Sequence, residues 1–273
     1  MPVPRADRSA AIRDHFDSNT SLYVDKIAEN YSAICGERLG MIEQYLEAHT
    51  GQPLSVLDVG CGAGVFTDLL VSKYPTVRAY GLDSSIGMLA RNVPATGKSL
   101  VLGDAKALPF RTGSFDLINL DTVMHHLVDF EGYQSTLGAI EHFMTSLRGL
   151  LKPGGFVIVR EIYHEFVLRE NLGTRLMYEL STLRLPGMVA KLLKRLGLTT
   201  ANAGVCFLTR KQWRAVFRQT GYTPLLLIDK PWASHYLRIM GFRHSGDLYY
   251  TLSPDAEENA SYGDGKEAVQ SAV

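Results

Sequence analysis

Residues 56–66 read Val56-Leu57-Asp58-Val59-Gly60-Cys61-Gly62-Ala63-Gly64-Val65-Phe66. An apolar run ends at Asp58-Val59, glycines stand at 60, 62 and 64, and a helical stretch opens near Val65. That is a buried strand, a tight turn and a helix. Glycine lets the backbone reverse sharply and lets a ligand lie against it with no side chain between. The loop alone is equally a plain strand-to-helix turn. Two details narrow it. Counted from Gly60, the sixth position is Val65, so the glycine spacing that seats a diphosphate on a helix N-terminus is not met. Asp58 stands just before the glycines, where a carboxylate repels a pyrophosphate and attracts an ammonium group.

Outward from this loop, short apolar runs at 77–82, 99–103, 115–120 and 155–160 each alternate with a helical stretch. Strands alternating with helices predict an α/β protein with a doubly wound parallel sheet, and the right-handed crossover rule limits its topology. Strands at 222–229 and 247–252 bring the count to seven. Lying close in sequence, they predict an antiparallel edge, so the sheet is mostly parallel with an antiparallel last strand. A helix is expected over 209–220, and residues 21–48 carry Ile27, Tyr31, Ile34, Ile42, Tyr45 and Leu46 at helical spacing.

Four acids fall at four successive strand ends: Asp58, Asp83 in GLDSS, Asp104 in LGDAKALPF, and Asp121 in FDLINLDTVMHHL. Ligands of open α/β sheets bind in that crevice, and an acid at the second strand end commonly takes a ribose diol. One such Asp is usually a helix N-cap. Four beside a glycine loop are harder to explain that way.

The 273 residues are 46% hydrophobic, with 28 Lys or Arg against 28 Asp or Glu. This is the composition of an ordinary globular chain, not a disordered or fibrous one. A zero balance gives no global attraction to nucleic acid or anionic lipid. No apolar run approaches the ~20 residues of a membrane span. Cys35, Cys61 and Cys206 are too widely spaced for a disulfide framework or a metal pair. The N-terminus lacks the apolar core of a secretory signal, so a cytoplasmic location is expected. The acidic tail 253–273 is expected to be disordered.

In order and spacing, VLDVGCGAG, GLDSSIGML, GDAKALPF, FDLINLDTVMHHL and LLKPGGFVIVRE resemble the class I S-adenosylmethionine-dependent methyltransferases, above all the ubiquinone/menaquinone-biosynthesis type. The likeness covers about 54–160, more loosely 16–31 and 209–252. It implies a Rossmann-like fold, S-adenosyl-L-methionine as cofactor, a methyltransferase domain over 51–252 and an N-terminal helical lid segment over 1–50. It also implies roles. Gly60, Gly62 and Gly64 would approach the methionine part, with Asp58 near its amino group. Asp83, followed by Ser84, would hold the ribose, and Met88 would pack on the adenine. Asp104, with Ala105 adjacent, would take the adenine amino group. The backbone at Asp121 and Thr122 would lie along the methionine. Phe16, Asp17 and Tyr23 resemble the family's lid motif, with Thr20 where its alanine stands. LKPGG at 151–155 reads as structural.

If the acceptor is a hydroxyl or an enolisable carbon, a base is useful, and histidine suits neutral pH. The candidates are His126 and His125 after the fourth strand and His164 after the fifth, with Tyr163 and Glu161 behind them; each is equally readable as packing. His15, His49, His142, His235 and His244 read as surface or packing histidines, and Cys61 as a small filler. Residues 161–206 read as a helical insertion rich in Leu, Met, Phe and Tyr. It suits a lid over an apolar or aromatic acceptor, or a plain helical hairpin. From 160 to 218 there are eleven Lys or Arg against four Glu, and 185–198 could lie on a membrane surface.

The expected function is methyl transfer to a small organic acceptor, by a monomer or homodimer. The alternative is a lipid or quinone methyltransferase at a membrane surface. An RNA or protein methyltransferase is less favoured, because Asp121-Thr122-Val123-Met124 is not the Asn/Asp-Pro-Pro-Tyr type and no aromatic-basic stripe marks a strand-binding groove. A cofactor-binding protein that transfers no methyl group would carry the same binding motifs.

Overall fold

The computed structural model describes residues 12–14, 16–18, 20–21, 24–25, 31–167, 170–183, 204–233 and 241–254. Tyr23, the basic run 185–198 and most of the acidic tail lie outside them, as do His15 and His235.

Seven strands form one sheet: β1 Leu54–Val59, β2 Val77–Asp83, β3 Lys98–Leu102, β4 Phe115–Asp121, β5 Leu151–Phe166, β6 Thr223–Pro231 and β7 Phe242–Ser253. Their order is β3-β2-β1-β4-β5-β7-β6. The strand order reverses direction beside β1, which pairs in parallel with both β2 and β4. β7 runs antiparallel to β5 and to β6. The doubly wound, mostly parallel sheet expected from the sequence is therefore present.

Helices cover both faces. On one side lie α1 Tyr31–Ala48 and α2 Val65–Lys73; the short α3 Ile86–Leu89 follows β2. On the other lie α4 Tyr133–Leu150 and α6 Arg210–Gln219, with α5 Glu170–Thr182 between them in sequence. Side chains alternate along a strand, so each strand feeds both cores. Leu54 and Val56 join Ile42, Leu46, Phe66 and Leu70 on the α1/α2 side, while Leu57 and Val59 join Phe143, Leu147 and Trp213 on the α4/α6 side. The same parity decides the site. Asp58 and Arg160 follow Val56 and Ile158 and turn toward α1; Glu161 and Tyr163 turn the other way.

α6 begins where expected, because Thr209 and Gln212 form a reciprocal capping box. One expectation fails. Residues 161–166 are not the start of a helical insertion but the far half of β5, paired with β7 from Glu161↔Leu248 to Phe166↔Phe242. Ile162, Tyr163 and Phe166 are β-branched or aromatic, and a long partner strand satisfies their backbone. Helix enters the insertion only at α5. Residues 204–207 take no regular secondary structure, and Leu208 bridges to Tyr163.

Candidate active site

The carboxyl end of β1 is bent back by its glycines. The Gly60 and Cys61 N–H groups both donate to the Leu82 carbonyl of β2, at 2.7 and 3.1 Å. Gly60 and Gly62 have φ of +71° and +56°. A Cβ on Gly60 would stand 2.4 Å from Val123 Cγ2, and one on Gly62 would stand 3.0 Å from Met88 Cε. Both conformation and space therefore exclude a side chain at Gly60. The loop is closed by Asp83, whose carboxylate accepts the Gly62 N–H at 2.7 Å and the Ser85 N–H at 2.8 Å.

Below this loop lies a cavity of about 700 Å³. Asp58, Asp83, Asp104 and Asp121 all line it, so the four strand-end acids do converge. Asp58 is buried and accepts a hydrogen bond from Asn119 Nδ2. Burial pushes its carboxyl up to about 7, with Arg38 pulling it back. Burial likewise raises the Asp83 carboxyl, against the N–H donors that hold it ionised. Asp121 sits between two guanidiniums, Arg38 Nη2 at 3.0 Å and Arg160 Nη1 at 3.0 Å. Arg160 also reaches Asp247 of β7 at 2.9 Å. Thr122 follows with φ +54°, a conformation that a β-branched residue rarely adopts. The N-terminal segment adds a wall to the cavity through Ile12, Arg13, Phe16 and Asp17. Asp17 accepts from the Ser85 hydroxyl and from Gly87 N–H, and Phe16 stands edge-on to His126 at 5.2 Å.

Of the residues expected at a cofactor, Asp58, Gly60, Gly62, Asp83, Ser84, Met88, Asp104, Ala105, Asp121 and Thr122 line the cavity. Gly64 is not among the lining; at φ +78° it starts α2. Of the candidate bases, only His126 lines it. Glu161 and Tyr163 do not, because strand parity turns them to the other face, and His164 does not, because β5 continues as strand and carries it away. Glu161 is fully buried against the turn after β4. Tyr163 donates to Asp229 at 3.1 Å and receives Arg210. His164 pairs with the Ser245 hydroxyl at 2.7 Å among Phe207, Trp232 and Phe242, and burial lowers it to about 4.

Sequence reading missed Arg38, Cys35 and Arg160. Arg38 is 4% exposed, lies over the Phe66 ring at 4.6 Å and faces the cavity. Its signal was present: position 38 fills the gap between Ile34 and Ile42 in the helical stripe, and a cation in an apolar stripe needs a buried anion.

S-adenosylmethionine fits this set of groups. Asp58 offers a buried carboxylate for an ammonium, the Gly62 backbone leaves contact room beside Met88, and Asp83 and Asp104 are placed for hydroxyl and amino donors. Among the described residues, no cluster of His, Cys, Asp or Glu could hold a metal.

Residues 57–159 match the family model described as a methyltransferase domain. The chain is 33% identical over 125 residues to a malonyl-[acyl-carrier protein] O-methyltransferase of Legionella pneumophila, covering 42% of this chain and 40% of that one. It is 36% identical over 118 residues to a demethylmenaquinone methyltransferase of Lactococcus lactis, covering 41% and 43%. The chain thus spans less than half the length of these two curated relatives. A solved S-adenosylmethionine-dependent methyltransferase of Leishmania major shares the fold, with a TM-score of 0.58 and 13% identity over 91% of this chain and 82% of that one. The glycine loop and the strand-end acids around one cavity all fall within residues 57–159, the stretch that matches the methyltransferase-domain family.

Proposed function

We propose that the chain transfers the methyl group of S-adenosylmethionine to a small organic acceptor. The observation that carries this reading is the single cavity that receives all four strand-end acids and is walled on one side by Ile12, Arg13, Phe16 and Asp17. A cavity walled by its own chain suits a small acceptor better than a strand or a folded surface. A relative named as a demethylmenaquinone methyltransferase, whose acceptor is a quinone, supports the same class.

The cofactor supplies a sulfonium that is already a strong methyl donor. The residues of the chain bind, orient and exclude water. Asp58 holds the ammonium, Asp83 the ribose hydroxyls and Asp104 the adenine amino group, while Met88 packs on the adenine. Asp121 and Thr122 line the methionine side. Alignment of acceptor and donor then supplies several orders of magnitude. Where the acceptor must lose a proton, His126 is the group in place to take it, since it lines the cavity and the other candidates do not.

A second reading has its own observation. Leu172, Leu176 and Leu180 of α5, with Leu183 just beyond, are exposed and share one face, opposite the buried Thr174, Tyr178 and Ser181. An outward leucine stripe suits a lipid or quinone methyltransferase that works at a membrane surface. No described helix is long and apolar enough to cross a membrane.

The test is incubation of the purified chain and an extract of its source with S-adenosylmethionine labelled in the methyl group. Label in small organic-soluble products is expected. Label in RNA or protein would overturn the reading. Binding to anionic vesicles that is lost in Leu176→Glu/Leu180→Glu would select the membrane-surface form.

A further inference from the structure

The turn after β4 has two sides. Asp121, Thr122, Val123 and His126 line the cavity. Met124 and His125, between them, point away and are buried at 0% and 4% exposure. Two of the contacts that anchor the turn from this hidden side converge on one carboxyl group. Glu161 Oε1 accepts the Met124 N–H at 2.6 Å, and Oε2 meets His125 Nδ1 at 2.8 Å. The His125 ring is stacked on Phe207 at 4.7 Å, and its carbonyl accepts the Cys206 N–H at 2.8 Å. The residue before Glu161 holds the other end: Arg160 pairs with Asp121, and its carbonyl accepts the Thr122 N–H at 2.8 Å. Two consecutive residues of β5 therefore hold this turn, Arg160 from the cavity face and Glu161 from behind.

The turn needs such an anchor. Thr122 is the one described non-glycine residue at positive φ, which stands only where its surroundings over-determine it. Val123 must also stay against Gly60, where there is no room for even one more carbon. We infer that Glu161 and His125 form a buried positioning pair that sets the cavity wall carrying Thr122, Val123 and His126 against the cofactor. Neither touches the reacting atoms. The inference rests on the functional reading above and recasts Glu161, expected from sequence as a candidate for catalysis, as a residue that acts through the turn.

Burial supports this division. It raises the Glu161 carboxyl and lowers the His125 imidazole, so both are pushed toward their uncharged forms. A neutral pair is a good anchor in an apolar setting and a poor proton carrier for a cavity it does not face.

The test uses the full chain and S-adenosylhomocysteine as probe, with calorimetry well below the melting temperature of each variant. In Glu161→Ala the Met124 N–H loses its partner and the wall is free to shift. Binding is expected to weaken about tenfold and labelled-methyl turnover to fall about 10²-fold. Glu161→Gln keeps the acceptor for Met124 and offers an N–H to His125, so its affinity should return to within about twofold of the wild type. His125→Phe keeps the stacking on Phe207 and loses only the ring hydrogen bond; it is expected to fall between the two, and it carries the test if Glu161→Ala does not fold. A residue that only stabilises the fold would lower the melting temperature and leave the folded chain's affinity unchanged. Wild-type affinity and turnover in Glu161→Ala or His125→Phe would therefore overturn the positioning role. So would a Glu161→Gln variant with full affinity but turnover as low as that of alanine, which would make the carboxyl a proton carrier. A wild-type chain that binds no S-adenosylhomocysteine would overturn the functional reading itself.

Discussion

The carboxyl ends of β1 to β4 and the far half of β5 face the same region of the molecule but are built by different rules. In the first, each functional position is local. A glycine turn, an acid and the next helix follow one another within a few residues, and the acid ends up in the cavity because the strand before it does. In the second, Glu161, Tyr163 and His164 also follow an apolar strand, yet all three are spent on neighbours: the turn after β4, Asp229 with Arg210, and Ser245. Arg160 still lines the cavity, but the polar residues beyond it would reach the crevice only if the strand stopped there. β5 does not stop, because β7 pairs along it to Phe166.

The pair His126 and His164 breaks or sharpens this contrast most strongly. If His126 is the base, His126→Ala should slow turnover by about 10²–10⁴-fold with S-adenosylhomocysteine affinity unchanged. His164→Ala should leave both and lower stability by about 1–3 kcal/mol, since the Ser245 hydroxyl loses its buried partner. Steady-state kinetics with denaturant unfolding separates them; the reverse pattern would move the acceptor to β5.

Gly60→Ala comes next. A Cβ would overlap Val123 and sit at a φ that costs about 1–2 kcal/mol on its own. With the overlap, stability should fall by about 2–4 kcal/mol, and probe binding should fall with it. An alanine variant that melts and binds like the wild type would show that the wall has slack.

Asp83→Ala should weaken binding by about 1–3 kcal/mol in calorimetry, from lost ribose contacts and the loosened Gly62 loop. Unchanged affinity would remove Asp83 from the site.

The smallest effect is one of pH. The Asp58 carboxyl is raised from an ordinary value near 3.8 to about 7. Its folded value lies above its unfolded one, so its contribution is complete below pH ~4 and is lost as pH rises toward 7. An ammonium reverses this by favouring the ionised form. Probe binding should therefore tighten as pH rises from 5 to 7, by at most about tenfold per unit, with release of a proton. Asp58→Asn should abolish that slope in calorimetry across buffers of different ionisation enthalpy.

Much was legible because its causes are local in sequence. The glycines of 60–64, the acids at strand ends, the Thr209 cap and the alternation of strand and helix are each decided by a few neighbouring residues, and they determined the doubly wound sheet and the acids that line the cavity. Other features needed the folded chain. Arg38 becomes a cavity residue only because α1 crosses the face of the sheet to which strand parity turns Asp58 and Asp121. Glu161 becomes an anchor because the same parity turns it away, toward a turn 36 residues earlier. The length of β5 was decided by β7, about eighty residues later. A strand's end is set by its partner's hydrogen bonds, and a side chain's role by what the opposite face brings to it. Neither is written in the residues beside it.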